Sequence, residues 1–207
     1  MPASIPWKAQ APADYTGPRI ALIHGLMAGP HMERHLLSFL RAAGYGDSSL
    51  YSNHENPAVI ARELAEAAQQ NRPIVLIGYS QGGFQVLKVA RLLQKQNISC
   101  PLVVSLAAGG AGRFYPLQWG FNPRRIPGNI MRYLNYFAIG DTLGTDRRMA
   151  SNIAQAEART TQLENIEYSR KSGVNHFEIV RCYPAERVKP EVRTRFLDRL
   201  LRELAAL

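Results

Sequence analysis

Cysteine is scarce in this sequence, since Cys100 and Cys182 are the only two among 207 residues. Neither belongs to a C-x-x-C pair, and no group of cysteines and histidines has the spacing of metal ligands. Two cysteines cannot build a disulfide framework. We therefore expect two free, buried thiols and a fold held together by its apolar core.

Long hydrophobic runs are also missing. No stretch of 18 apolar residues occurs, so no membrane-spanning segment is expected. Residues 1–16 have neither the basic start nor the apolar centre of a secretion signal, and we expect a cytoplasmic protein. The hydrophobic fraction of 46% excludes disorder as the main state, and the length fits one domain, 1–207, with a single core.

Acidic residues are outnumbered, with 16 Asp and Glu against 25 Lys and Arg, which gives a net charge of +9. The excess is spread along the chain rather than gathered in a tail, and it favours attraction to anionic interfaces. The aromatic residues do not form a basic array, and no ribonucleoprotein motif occurs. Nucleic acid is therefore not an expected partner.

What the sequence does contain is an alternation of short apolar runs and amphipathic stretches, typical of a parallel sheet covered by helices on both faces. We predict about six strands, at 19–24, 50–51, 73–78, 102–107, 135–139 and 166–168. Helices are predicted at 31–43, after the Asn56 cap, and at 82–96, 148–163 and from Pro190 onward.

The alternation stops at Gly109, and residues 109–133 are predicted to form an irregular insertion rich in glycine, proline and aromatic residues. Two interpretations of this segment stay open: a lid over an apolar acyl group, or a loop whose aromatic residues pack on the core. Its basic residues would attract an anionic head group. The segment carries Arg113, Phe114, Tyr115, Trp119, Phe121, Arg124 and Arg125.

The sequence Gly78-Tyr79-Ser80-Gln81-Gly82 stands where the most apolar predicted strand turns into a helix. This placement is typical of a nucleophile elbow, in which a sharp turn holds the serine hydroxyl above the sheet and leaves no room for flanking side chains. Ser80 is therefore the candidate nucleophile.

A serine nucleophile needs a histidine base and an orienting carboxylate, in the chain order Ser, acid, His for this kind of elbow. His176 is the only histidine after Ser80. Asp141 and Asp146 both follow the predicted strand 135–139, and we favour Asp141 because it lies nearer the strand end. A turn-capping role for either aspartate is the alternative.

The segment His24-Gly25-Leu26 follows the first predicted strand, at the same edge of the sheet as Ser80. A glycine there lets the backbone turn, so that the amides of Leu26 and Gln81 can both face a developing oxyanion. We assign these two amides to an oxyanion hole, and His24 to a structural role.

Together, I-H-G-L, G-Y-S-Q-G-G and V-N-H-F resemble the α/β-hydrolase family, in particular its small lipases and esterases, over residues 20–177. The resemblance implies a minimal α/β-hydrolase fold, because the family's first two strands have no counterpart before Arg19. It also implies acyl-enzyme chemistry without metal or organic cofactor. The acid does not stand in the family's common G-x-x-D arrangement.

These observations predict a serine hydrolase acting on a small-molecule or lipid-like ester or thioester with an apolar acyl part. Five candidate substrate-binding residues lie near the expected cleft: Met27, Phe114, Tyr115, Trp119 and Phe121. The alternatives are a non-catalytic binding module with the same fold, or an amide hydrolase or acyltransferase with the same triad. His31 and His35 are four residues apart, but without a third ligand we expect them on a solvated helix face rather than at a metal.

Overall fold

The computed structural model describes residues 7–9 and 11–207, with nothing described for the side chain of Leu117. A six-stranded sheet lies at its centre, with the strand order β2-β1-β3-β4-β6-β8 and every neighbouring pair parallel. The strands are β1 (Arg19–Ile23), β2 (Ser48–Tyr51), β3 (Ile74–Tyr79), β4 (Cys100–Leu106), β6 (Ile130–Ala138) and β8 (Gln162–Tyr168). All six predicted strands are confirmed, and β1 and β3 are buried on both faces, as their uninterrupted apolar runs require.

Helices cover both faces of the sheet. The first helical stretch consists of α1 (Gly29–Met32), a π-helical turn (Glu33–Leu37) and α2 (Ser38–Ala42). It is followed along the chain by α3 (Pro57–Gln69) and α4 (Gln81–Gln94). The C-terminal stretch consists of α5 (Pro190–Val192), a second π-helical turn (Arg193–Leu197) and α6 (Asp198–Ala205).

Each face of the sheet has its own apolar layer. One layer packs residues such as Leu36 and Phe196, from the first and last helical stretches, against the sheet. The other packs Leu64 of α3 and Ala90 of α4. The Asn56 cap is also confirmed, because its Oδ1 accepts a hydrogen bond from the Ala58 N–H at 2.9 Å.

The predicted helix 148–163 is wrong. In its place are a short 3₁₀ turn (Met149–Asn152), strand β7 (Gln155–Ala156) and the start of β8. Strand β7 pairs with β5 (Arg125–Ile126) in a second, two-stranded sheet. The physical reason is that residues 155–163 have helix-forming side chains but no apolar stripe, so a helix there would have no face to bury.

The insertion predicted at 109–133 contains two 3₁₀ turns (Gly110–Phe114 and Pro116–Gln118), then β5 and the first residues of β6. Cys100 and Cys182 are free and buried, as expected. Among the described residues, no helix has both the length and the apolar character needed to cross a membrane.

Candidate active site

Ser80 stands between the last residue of β3 and the first residue of α4, in an unfavourable backbone conformation with φ 55° and ψ −119°. The turn depends on glycines. A Cβ atom at Gly78 would lie 2.4 Å from the carbonyl oxygen of Gly82, and one at Gly82 would lie 1.9 Å from that of Ile23. Strain of this kind is typical of functional sites, and here it holds the serine at the carboxyl edge of the sheet.

The turn after β1 comes very close to the serine. A Cβ atom at Gly25 would lie 2.6 Å from Ser80 Cβ and 3.0 Å from its Oγ, so only glycine fits there. Next to it, the Leu26 N–H makes no hydrogen bond to any described residue. The Gln81 N–H opens α4 and has no partner inside the helix. These two backbone donors near Ser80 therefore have no partner within the described part of the chain.

A carboxylate holds His176. His176 Nδ1 donates to Asp141 Oδ2 at 2.8 Å, while Asp141 Oδ1 accepts from the N–H groups of Leu143 and Gly144 at 3.0 Å each. Asp141 is buried, and three donors surround its two oxygens. This arrangement fixes the imidazole tautomer that has its proton on Nδ1 and leaves Nε2 as an acceptor.

Asp146, the other candidate acid, is used elsewhere. Arg113 Nε and Nη2 donate hydrogen bonds of 2.8–2.9 Å to its carboxylate, and Arg124 Nη2 lies 3.6 Å from its Oδ2. The sequence favours Asp141 over Asp146 because it lies nearer the strand end. The structure brings Asp141, and not Asp146, to the histidine.

Two residues that the sequence analysis did not assign to the site hold the backbone around His176. The buried Tyr79 hydroxyl donates to the His176 carbonyl at 2.9 Å, and the two rings lie 5.0 Å apart between centroids. Burial raises the pKa of Tyr79, and the Asp141 charge raises it further, so the hydroxyl keeps its proton. His31 Nε2 lies 3.1 Å from the Phe177 carbonyl and donates to it. Two consecutive carbonyls of the histidine loop are thus anchored.

Ser80 and His176 line one pocket of about 500 Å³. Among the described residues, no hydrogen bond joins the Ser80 hydroxyl to His176. The pocket wall is mainly apolar. It is formed by Leu26, Met27, Ala28, His31, Tyr79, Ser80, Gln81, Ala111, Gly112, Tyr115, Leu143, His176 and Phe177.

Comparison with solved structures finds the same architecture in several proteins. Human thioesterase 2 superposes with a TM-score of 0.56 at 10% identity, over 93% of this chain and 97% of that chain. The α/β-hydrolase domain-containing protein 10 from mouse gives 0.51 at 12% identity, over 95% and 92%. The chain has the α/β-hydrolase fold.

A third similar structure is the RedJ thioesterase from the prodiginine biosynthetic pathway in Streptomyces coelicolor, with a TM-score of 0.51, 12% identity and coverage of 98% of this chain and 97% of that chain. No family model matches the sequence, and neither does any curated protein. At these identities the likeness establishes the α/β-hydrolase fold and not a shared reaction.

The predicted substrate-binding residues separate into two groups. Met27 and Tyr115 line the pocket at Ser80, whereas Phe114, Trp119 and Phe121 are absent from its wall. Trp119 and Phe121 line a second cleft of about 700 Å³. The segment therefore has one aromatic side chain at the pocket instead of four.

The basic residues of this segment, which were expected to attract an anionic head group, form ion pairs with acidic side chains. Arg113 and Arg124 both contact Asp146, and Arg125 Nε lies 3.5 Å from Glu157. Each of these two acids is shared between two arginines, so part of the positive charge remains uncompensated.

The solvated helix face expected for His31 and His35 is also wrong. His35 is buried, and its Nδ1 accepts from the N–H groups of Cys182 and Tyr183 at 3.4 and 3.3 Å. Accepting these bonds requires a neutral ring. Burial lowers the pKa of His35 from 6.5 to about 4, helped by the nearby His31.

We expect the protein to lose stability when the pH falls from about 6.5 towards 4, by up to about 3 kcal/mol from His35. In this range the unfolded chain binds a proton at His35 and the folded chain does not, so acid favours unfolding. Urea titrations at pH 7 and pH 4 measure the difference. His35→Asn keeps an acceptor and should reduce the acid loss, whereas the exposed His54→Asn should retain it; equal acid losses in the two variants would contradict the assignment.

Proposed function

We propose that the protein is a serine hydrolase that cleaves carboxylic esters or thioesters with an apolar acyl part, through an acyl-enzyme intermediate. One observation carries the proposal: the pocket that holds the strained Ser80 also holds a histidine whose Nδ1 donates to a buried carboxylate. A binding protein has no evident need for either the strain or the buried Asp141–His176 pair.

The chemistry follows from the geometry. His176 Nε2 takes the proton from Ser80 Oγ as this oxygen attacks the substrate carbonyl carbon, and Asp141 stabilises the imidazolium that forms. The N–H groups of Leu26 and Gln81 then donate to the tetrahedral oxyanion, where each donor is worth roughly 10²–10³ in rate.

Breakdown of this intermediate uses the same proton. His176 delivers it to the departing alcohol or thiol, and the carbonyl re-forms on Ser80. A water molecule then attacks the acyl-enzyme, with His176 again as the base, and releases the acid.

The pocket wall determines the acyl preference. Leu26, Met27, Leu143 and Phe177 present apolar surface around Ser80, and a volume of about 500 Å³ is within the range of small-molecule sites. Two of the structurally similar proteins are named as thioesterases, which supports including thioesters among the candidate substrates.

We expect the specificity constant for p-nitrophenyl esters to rise as the acyl chain lengthens from two to eight carbons, by an order of magnitude or more in total. Each methylene buried against the wall can contribute up to about 0.8 kcal/mol. Leu143→Ala should flatten the trend. The exposed Met131→Ala, on the far end of β6, is the matched control and should leave it intact; a preference for acetate over the longer esters would exclude the apolar acyl pocket.

Two further experiments test the alternatives to ester hydrolysis. Fluorophosphonate labelling of Ser80 distinguishes a hydrolase from a non-catalytic binding module, because labelling needs an activated serine. Product analysis with amides, and with esters in the presence of added alcohols, distinguishes ester hydrolysis from amide hydrolysis and from acyl transfer.

A further inference from the structure

Large apolar side chains are exposed mainly at one edge of the molecule. Seven such side chains among the described residues have nearly half or more of their surface exposed, from 48% for Leu26 to 94% for Met27. Six of the seven lie on loops that follow the carboxyl ends of β1, β4, β6 and β8. We call them the apolar rim: Leu26, Met27, Phe114, Trp119, Leu143 and Phe177.

Four of the six rim residues belong to the pocket at Ser80. Leu26, Met27, Leu143 and Phe177 form part of the pocket wall, and Trp119 Nε1 donates to the Phe114 carbonyl, which keeps those two residues together. The seventh exposed side chain, Met131, stands at the start of β6, where the strands begin. An apolar surface gathered at one edge is typical of a binding interface.

Met27 adds an independent observation. Its backbone has φ 54°, a conformation that disfavours side chains other than glycine, and it is the most exposed of the apolar residues described. The turn after β1 thus has an exposed methionine at a position where the backbone conformation is unfavourable for any side chain. Neither packing nor a hydrogen bond of this side chain explains that cost.

The charge on the same loops is mainly positive, which favours an anionic partner. Residues 24–28, 107–124, 139–154 and 169–180 contain six Lys and Arg and three Asp and Glu. All three acids are already paired: Asp141 with His176, Asp146 with Arg113, and Glu178 with Arg181. The free charge of these loops is therefore positive.

Four exposed basic residues on these loops make no ion pair with any described residue: Arg147, Arg148, Arg170 and Lys171. Arg147 and Arg170 line one small cavity of about 330 Å³ together with Met149, so basic and apolar side chains lie side by side at this edge.

We propose that the apolar rim and these four basic residues dock the protein on an anionic lipid surface, with the pocket mouth facing the lipid. Single apolar side chains that protrude from four separate loops suit a fluid acyl layer, into which each can insert, and Trp119 has the amphipathic ring favoured at such interfaces. A second copy of the chain fits less well, because two rims with the same positive charge would repel.

Cosedimentation with lipid vesicles tests the docking separately from hydrolysis, if every variant is made in the Ser80→Ala background. We expect binding to vesicles of mixed phosphatidylcholine and phosphatidylglycerol, weak binding to phosphatidylcholine alone, and a loss of binding as salt is added. Replacement of Arg147 and Arg148 by serine should weaken binding roughly 25-fold, at about fivefold for each charge. Replacement of Phe114 and Trp119 by serine should weaken it at least about tenfold.

Arg202→Ser and Met131→Ser are the matched controls, since both side chains are exposed and lie away from the rim. They should bind like the parent protein, and unchanged melting temperatures show that the variants fold. Equal binding to both kinds of vesicle, no binding to either, or rim-dependent self-association in sedimentation velocity would each overturn the proposal, whether or not the protein proves to be a hydrolase.

Discussion

Ser80→Ala should abolish ester hydrolysis, with a loss of about 10⁴-fold or more in turnover, and leave the protein folded. The substitution removes one oxygen from a half-buried position. It keeps the Cβ that already occupies the space between the turn after β1 and the start of α4, so the elbow has no reason to rearrange.

Steady-state kinetics on a p-nitrophenyl ester, with the melting temperature measured in parallel, checks this expectation. Ser99→Ala, at an exposed site where the chain enters β4, is the control and should keep full activity. If a pure sample of Ser80→Ala retained a tenth of the activity, the nucleophile would have to be another residue.

The two aspartates of the loop after β6 should show opposite effects. Asp141→Asn should reduce turnover by about 10⁴-fold with little change in substrate affinity, because a neutral amide cannot stabilise the imidazolium and favours the wrong tautomer of His176. Asp146→Asn should change turnover less than tenfold. It should instead cost about 1–3 kcal/mol of stability, because the buried Arg124 and the fork of Arg113 lose their counter-charge.

Measuring kcat, KM and the free energy of unfolding for both variants gives a two-by-two comparison. A larger catalytic loss in Asp146→Asn than in Asp141→Asn would contradict the geometry around His176. Small losses of turnover in both variants would show that neither aspartate acts in the mechanism.

The central strands β1 and β3 could be predicted because they are continuous apolar runs buried on both faces. The elbow was also evident, since two glycines flank Ser80 at a strand-to-helix junction. Patterns of this kind involve only neighbouring residues, so they can be recognised in a single sequence.

Contacts between distant residues that no motif marks could not be predicted. Tyr79 and His176 are separated by 97 positions, and His31 and Phe177 by 146, so no spacing rule connects them. The sequence likewise favoured Asp141 over Asp146 without predicting that Arg113 pairs with Asp146.

The predictions for the irregular segments failed for a related reason. Residues 148–163 have helix-forming side chains, but their position beside β5 and β6 decides their structure. Phe114 and Trp119 were assigned to the pocket because they are aromatic, whereas the path of the chain through 110–118 turns them outward.

The glycines around the nucleophile give the site an inner half and an outer half with different capacities for change. Gly25 and Gly82 leave no space for a methyl group, and a Cβ at Gly144 would lie 2.7 Å from His176 Nδ1, so these glycines of the inner half cannot be replaced by larger residues. Variation that alters the substrate range while preserving the reaction is therefore confined to the outer half, at positions such as Leu143 and Tyr115. A library built on those outer positions would explore new substrates, whereas one built on the inner glycines would yield mostly misfolded or inactive protein.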